Sequence, residues 1–381
     1  MTEPYSHKPK LLFVLSNDYG ELFNAMYFLA GMEFQPVILM PPRLFAVNQS
    51  SLSLPTHCYQ TTNDILEVVR REAPDVVFLF SGYLYVINRI LDPESMEKLV
   101  IGCRSQNVKL VTSDPSLGIL SDLDSATFSE QHPARLWLQQ HFAWLVPLLK
   151  DMLHLYLAPT GISTNMQWVS FFNRHIVSNP NADGPRPREF PTWQLLSDAK
   201  RQWLFILSPE DYGLQVGTYG QQQVHQRLLD RLQETNRSGR QPVLIAPQPC
   251  LAAIEAEHHG IDDLVTVPAC DYPSFMALLN DAEYVFYWNM FSASIVARVL
   301  NRLPFLLLDR GHLVHAMRNI VEVGCRHFYP GCQLELLGQD AILDPNLLAD
   351  MAEKQEQGIQ IPVVDNLVRS PSPDEIVKSI L

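Results

Sequence analysis

Residues 10–16 (KLLFVLS) form an unbroken apolar run, the pattern of a strand covered on both faces. The polar turn Asn17-Asp18-Tyr19-Gly20 follows. Residues 21–32 then carry apolar positions at helical spacing, with Leu22, Met26 and Leu29 on one face. The rhythm repeats. Residues 36–40 (PVILM), closed by Pro41-Pro42, read as a second strand, and residues 61–71 as a helix capped by Asn63 or Asp64. Residues 75–81 (DVVFLFS) and 108–112 (VKLVT) read as the third and fourth strands, with a helix over 95–106 between them. Buried strands alternating with helices predict βαβ units on a parallel sheet.

The middle of the chain is less regular. Residues 134–154 have an amphipathic helical pattern, and 155–159 a short strand pattern. Residues 177–188 (VSNPNADGPRPR) hold three prolines, a glycine and two asparagines and read as a linker. The alternation then restarts. Strands are predicted over 203–208 (WLFILS), 242–247, 264–268, 282–288 and 305–309, and helices over 221–235, 251–259, 272–280 and 292–300. Residues 209–213 read as a turn. Two further helical patterns, 345–356 and 372–381, close the chain. The stretch Leu12-Phe13-Val14-Leu15-Ser16-Asn17-Asp18-Tyr19-Gly20 is echoed by Leu204-Phe205-Ile206-Leu207-Ser208 with Asp211-Tyr212-Gly213. Each copy sits at the first strand-to-loop turn of its half, which predicts two halves of common architecture.

With 381 residues the chain is long enough for two domains, each with its own core. It has 28 Lys and Arg against 41 Asp and Glu, a net charge of −13. That balance argues against sequence-independent nucleic-acid binding, which requires cations to neutralise phosphates. No apolar stretch is long enough to predict a membrane span. The N-terminus does not look like a signal peptide, and six scattered cysteines without a CxxC pair fit reduced thiols, so the chain is expected to be cytoplasmic. The 28 prolines are expected to mark strand-to-loop junctions.

One region carries a family likeness. Residues 272–285 (YPSFMALLNDAEYV) place a short helix before an Ala-x-Tyr-Val strand; Ser292-Ala293-Ser294 opens the next helix, and Leu303-Pro304-Phe305-Leu306-Leu307-Leu308-Asp309 follows it. His312, His315, Asn319 and Gly324 come next. This order resembles the donor-binding domain of GT-B glycosyltransferases over about 40 to 60 residues. The resemblance implies an α/β fold of two Rossmann-like domains whose parallel sheets face each other across a cleft, a fold shared with nucleotide-sugar 2-epimerases. The sequence departs from the family at one point. Many members hold the donor ribose with a Glu-Ala pair in the helix after the serine turn, and here Ala297-Arg298 stands in that place.

The implied division is an acceptor domain over 1–185, a linker over 186–202, a donor domain over 203–345, and C-terminal helices over 346–381, the last returning to the first domain. A diphosphate is expected at the helix beginning near Ser292, where free N–H groups and the hydroxyls of Ser292 and Ser294 meet it. Arg310, His312 and His315 follow a strand end and would lie beside it; Tyr212 and Gly213 would line the pocket, and Cys270 would lie near the base. Asp18 is the candidate base for the acceptor hydroxyl. Tyr19, Tyr83 and Tyr85 are candidate acceptor contacts, the last two by stacking on a ring. Each has a plain alternative: Ser292 as an ordinary helix cap, Arg310 in a surface ion pair, Asp18 as a turn residue.

Other motifs carry less. Asp122-Leu123-Asp124 is a DxD in an acidic chain, and His258-His259-Gly260 fits a helix C-terminus. No Walker loop, GxGxxG or GxSxG is present. The expected activity is metal-independent transfer of a sugar from a nucleotide diphosphate to an acceptor of unknown class, with no cofactor. A nucleotide-sugar epimerase and a non-catalytic binding or scaffold protein of the same fold are the alternatives. The oligomeric state is left open.

Overall fold

The structure is a computed structural model that describes residues 8–17, 19–32, 34–82, 84–87, 90–113, 136, 140–156, 167–173, 201–257, 260–308, 325, 328–329, 331–332, 334–338 and 341–381. The chain divides into two compact units. Met1–Gly184 and Asn366–Leu381 form the first, and Pro185–Asp365 the second.

The first unit is built on seven strands: β1 (Lys10–Val14), β2 (Gln35–Met40), β3 (Thr56–Cys58), β4 (Val76–Leu79), β5 (Lys109–Thr112), β6 (Leu153–Tyr156) and β7 (Gln167–Ser170). Their spatial order is β3-β2-β1-β4-β5-β6-β7, with every neighbouring pair parallel. Among the described residues its helices include α1 (Tyr19–Leu29), α2 (Pro42–Asn48), α3 (Thr62–Glu72), α4 (Leu84–Ile87), α5 (Pro93–Ser105) and α6 (Val146–Leu149). Parallel strands need crossovers, and the helices that make them cover both faces, so β1 and β4 are almost wholly apolar and buried. On one face Phe13 of β1 stacks on Phe78 of β4 at 4.5 Å, and Phe28 of α1 lies 5.2 Å from Phe78.

The second unit repeats the plan with β8 (Gln202–Ile206), β9 (Gln241–Ile245), β10 (Val265–Val267), β11 (Ala282–Tyr287), β12 (Phe305–Leu308) and β13 (Leu336–Leu337). Their order is β10-β9-β8-β11-β12-β13, again parallel throughout. Its helices are α7 (Pro209–Tyr219), α8 (Gln221–Arg237), α9 (Gln248–Glu257), α10 (Tyr272–Asp281), α11 (Ala293–Leu300), α12 (Pro345–Gln355) and α13 (Ile361–Leu367), whose last residues fall in the first unit. The two sheets share one strand order, and β1 and β8, the strands of the sequence echo, hold the same place in each.

Several local expectations need correction. Thr61, not Asn63 or Asp64, caps α3: its hydroxyl accepts from the Asp64 amide while the Asp64 carboxylate accepts from the Thr61 amide. Residues 209–213 are not a turn but the start of α7, with Ser208 as cap and Pro209 in the first turn. Prolines likewise open α2, α5 and α12, so many mark helix starts rather than loops. The 134–154 pattern is not one helix; it holds the short α6, after which His154 falls in β6. Strands β3, β7 and β13 were not expected at all. The proposed linker over 186–202 lies almost wholly outside the described residues.

The C-terminal stretch is helical also between the two expected helical patterns. A single π-turn (Glu356–Gln360) joins α12 to α13. Gln355 fixes it by using its side-chain amide as a strand would, accepting from the Phe305 amide at 3.0 Å and donating to the Phe305 carbonyl. The final helix, α14 (Pro373–Ile380), is part of the first unit and buries Ile376 and Val377. The Phe172 amide, just past β7, donates to the Pro371 carbonyl at 3.1 Å. No helix among the described residues is long and apolar enough to cross a membrane.

His154 gives the first unit a pH dependence. It is fully buried in β6, with Nδ1 2.8 Å from the Met152 carbonyl oxygen, and burial pushes its pKa down to about 4. The unfolded chain takes up a proton below pH ~6.5 that the folded chain refuses until pH ~4, so stability falls as pH drops through that window. The loss attributable to this residue is about 2 kcal/mol by pH 5. His154→Gln is expected to lose less stability than the wild type between pH 7 and pH 5, measured by urea titration at both; equal losses would show that His154 is not the acid-sensitive group.

Candidate functional site

In each sheet the chain leaves one central strand toward one side and its neighbour toward the other. In the second sheet β8 leads to β9 and β11 leads to β12, on opposite sides. The space beyond the carboxyl ends of β8 and β11 is therefore the topological switch point, where open parallel sheets bind ligands. Two helices start there, α7 after β8 and α11 after β11.

The two starts differ. The Ser208 hydroxyl caps α7, accepting from the Asp211 amide at 3.0 Å. Asp271 and Asp344 cap α10 and α12 in the same way. Ser292 occupies the cap position of α11 but forms no side-chain cap bond. Its hydroxyl instead lies 2.8 Å from that of Ser294, which donates to the Tyr287 hydroxyl at 3.1 Å. The ordinary reading of Ser292 as a side-chain cap is thus set aside by the structure. The Ser292 side chain gives the amides at the start of α11 no acceptor, although its carbonyl accepts from the Ile295 amide at 3.0 Å, and these amides sit at the positive end of the helix dipole. Ser294 and Tyr287 are buried, and burial raises the Tyr287 pKa, so both hydroxyls stay neutral.

Behind this start, Arg298 is wholly buried and ties α11 to the sheet. It donates through Nε and Nη2 to the Pro304 carbonyl and through Nη1 and Nη2 to the carbonyls of Leu279, Ala282 and Glu283. Burial pulls its pKa down to about 9, and it remains charged at pH 7. Ala297, where the resembled family has its ribose-holding glutamate, is itself buried. The structure therefore offers no carboxylate at that point, and the adjacent cation is a strut inside the unit.

The structure brings Ser292 and Ser294 together after β11, and places Tyr212 and Gly213 in the first turns of α7 after the neighbouring β8. The Tyr212 hydroxyl lies 2.9 Å from His225 Nε2 on α8. Gly213 is exposed, and a β-carbon there would meet nothing within 4 Å. Cys270 follows β10, which β9 separates from β8. Burial pushes its thiol up to about 11, so it is a neutral thiol at pH 7. Tyr19 opens α1 and is half-buried. Tyr85 is a correction: it is fully buried, and its hydroxyl donates to the Val14 carbonyl, so it has no ring face to offer an acceptor. Asp18, Tyr83, Arg310, His312 and His315 lie outside the described residues, as do Asp122, Asp124, His258 and His259.

Sequence reasoning missed Glu21. It is a buried acidic residue in the first turn of α1, near Tyr59 and Tyr85, whose pKa values burial raises and Glu21 raises further. Tyr59 donates to the Leu15 carbonyl, so all three side chains gather at the carboxyl end of β1. The available signal was an acidic residue at the start of a helix that follows a buried strand.

No family model matches this chain, and no curated protein matches its sequence. Solved structures do. UDP-GlcNAc 2-epimerase from Neisseria meningitidis, bound to UDP-GlcNAc, matches with a TM-score of 0.52 at 11% identity, over 98% of this chain and 99% of that one. Os79 from O. sativa, in complex with UDP, matches with a TM-score of 0.52 at 11% identity, over 97% and 98%. Arabidopsis thaliana UGT89C1, complexed with UDP-L-rhamnose, matches with a TM-score of 0.50 at 10% identity, over 98% and 99%. These likenesses define the class of fold: an α/β chain with two parallel sheets, of the GT-B type. Within that class the chain is divergent, and the fold houses both glycosyltransferases and UDP-sugar epimerases.

Arg298→Met is expected to destabilise the second unit by about 3 kcal/mol or more, because it leaves four buried carbonyls short of donors. Urea unfolding followed by tryptophan fluorescence would measure it; a loss under about 1 kcal/mol would show that the strut is dispensable.

Proposed function

We propose that the chain is a glycosyltransferase that takes a sugar from a nucleoside diphosphate and holds the donor on its second unit. The observation that carries this reading is the start of α11: a helix N-terminus at a switch point, its serine cap turned away from capping duty, in a chain with the GT-B fold. A diphosphate is a good occupant for a helix start with two neighbouring hydroxyls at a positive dipole end. As the glycosidic bond breaks the leaving diphosphate gains charge, and fixed N–H dipoles stabilise that state more than the ground state. In this reading no metal or cofactor is required at the leaving group. Arg310, which follows β12 in the sequence, would add a cation, with His312 and His315 near it, and Asp18 would take the proton of the acceptor hydroxyl on the first unit.

A second reading has one observation in its favour. Ala297 and the buried Arg298 leave no carboxylate for a ribose at the family's usual place, which suits a binding or scaffold protein that does not turn over. Thermal denaturation with and without UDP, dTDP, GDP and ADP separates the two. Stabilisation by one nucleoside diphosphate supports the donor site, and a blank panel supports the scaffold. With the preferred nucleotide found, Ser292→Ala is expected to weaken it about tenfold through one lost bond to a charged oxygen. Arg310→Ala is expected to lower turnover about 100-fold, the usual cost of losing one oxyanion-stabilising donor. Unchanged affinity in the first variant and unchanged turnover in the second would remove these residues from the site.

A further inference from the structure

The first unit holds a cavity of about 610 Å³ at the amino-terminal end of its sheet, the end opposite the switch point. Its wall is formed where β5 and β6 begin and where α5 and α14 end. That volume is in the range of small-molecule sites. The wall has two kinds of surface. Val108, Leu110, Leu153 and Ile380 are half-buried and Met152 is buried, so water in the cavity meets apolar side chains. Arg104, Lys109 and Asp151 are exposed. Arg104 Nη2 donates to the Leu148 carbonyl of α6 at 3.1 Å, which fixes the guanidinium through one of its donors. Among the described residues, none of Arg104, Lys109 and Asp151 forms an ion pair.

Solvated surface cations would account for the charges but would leave five apolar side chains lining a wet cavity. An occupant resolves both, and the wall selects its chemistry. The apolar side chains take a hydrocarbon body. Arg104 and Lys109 take a carboxylate, which the planar guanidinium can hold by two parallel bonds. With Asp151 included, the side chains on the wall sum to a charge of +1, so a second negative charge on the occupant would stand against Asp151. A diphosphate is therefore a poor fit. A neutral sugar is no better, because it leaves both cations without a counter-charge and covers apolar surface with hydroxyl groups. We infer that this cavity binds a small amphipathic monoanion, an aliphatic carboxylate with its head on Arg104 and Lys109 and its chain along Val108, Leu110, Met152 and Ile380. The inference does not depend on the glycosyltransferase reading.

The test titrates the full chain by calorimetry with octanoate, decanoate and dodecanoate, each below its micelle concentration. Decanol, decyltrimethylammonium and inorganic phosphate are the contrasting probes: a tail without charge, a tail with the wrong charge, and charge without a tail. At least one carboxylate is expected to bind at one site per chain, with an affinity that falls as salt is raised. Lys109→Glu is expected to weaken it about tenfold, since an attracting charge becomes a repelling one. Asp151→Asn is expected to tighten it about threefold, an effect that adsorption to apolar surface would not produce. Both side chains are exposed and form no ion pair among the described residues, so both variants are expected to keep the wild-type Tm. Arg104→Gln, expected to weaken binding about tenfold, serves if Lys109→Glu folds poorly. Absence of binding by all three carboxylates, several molecules bound per chain, equal binding of decanol or decyltrimethylammonium, stronger binding of phosphate, or unchanged affinity in the variants overturns the assignment. Stabilisation by UDP without carboxylate binding overturns it too and keeps the donor reading. Carboxylate binding with a blank nucleotide panel does the reverse.

Discussion

A parallel strand cannot reach its neighbour by a tight turn; the chain must cross over the sheet and come back. Much of this molecule follows from that constraint. The crossovers are mostly helices, they cover both faces, and the strands between them have to be apolar on both sides, as β1, β4, β11 and β12 are. Growth to one side and then to the other leaves one reversal in each sheet, at β1/β4 and at β8/β11. At a reversal the following helices diverge. The chain ends up with a helix start beyond the strand ends at each of those two places, a consequence of the topology.

The second unit shows how such a place is held rigid. Arg298 satisfies the carbonyls of Leu279, Ala282, Glu283 and Pro304 from a position where water cannot reach. At the opposite, amino-terminal end of the sheet, Glu283 is buried against Arg201 at 3.1 Å, Arg240 at 3.1 Å and the Trp203 indole at 2.9 Å. Removing one partner from such a group leaves a buried charge or dipole alone, which costs far more than the intact group contributes. Both clusters brace β11, the strand that leads into Ser292. A cation committed to four carbonyls is not available to a ligand. Ala297, which offers no carboxylate, and Arg298, committed to the core, thus stand side by side in one structural element.

Much of the fold was legible because double-sided burial writes unbroken apolar runs such as residues 10–16 and 203–208. Short strands with polar content, β3 (Thr-His-Cys) and β7, carry no such run and could not be seen. Proline misled for a physical reason: lacking an N–H, it suits the first turn of a helix as well as it suits a turn, and Pro209 and Pro42 took the former role. The candidate donor site was legible as a serine turn before a helix, but not the fact that Ser292 bonds to Ser294 instead of capping. That depends on where Tyr287 points, which no sequence pattern encodes. Tyr85 was misassigned for a related reason. A tyrosine just past a strand end can face outward or fold back, and here the carbonyl of Val14 provided its hydroxyl with a buried acceptor.

The two reversals, built on one strand order, carry different side chains. After β11 there are amide donors, a positive dipole end and neutral hydroxyls. After β1 there are acceptor oxygens from Asn17 and Asn24, and a buried carboxylate at Glu21. In a chain of net charge −13 an anion is not drawn in by the surface as a whole, so attraction must come from dipoles and donors within a few ångströms. Both reversals carry a helix start of this kind, α1 after β1 and α11 after β11; what differs is the side chains beside it. With one strand order and one kind of helix start at both reversals, it is the side chains set beside them, and not the fold, that make the two places chemically different.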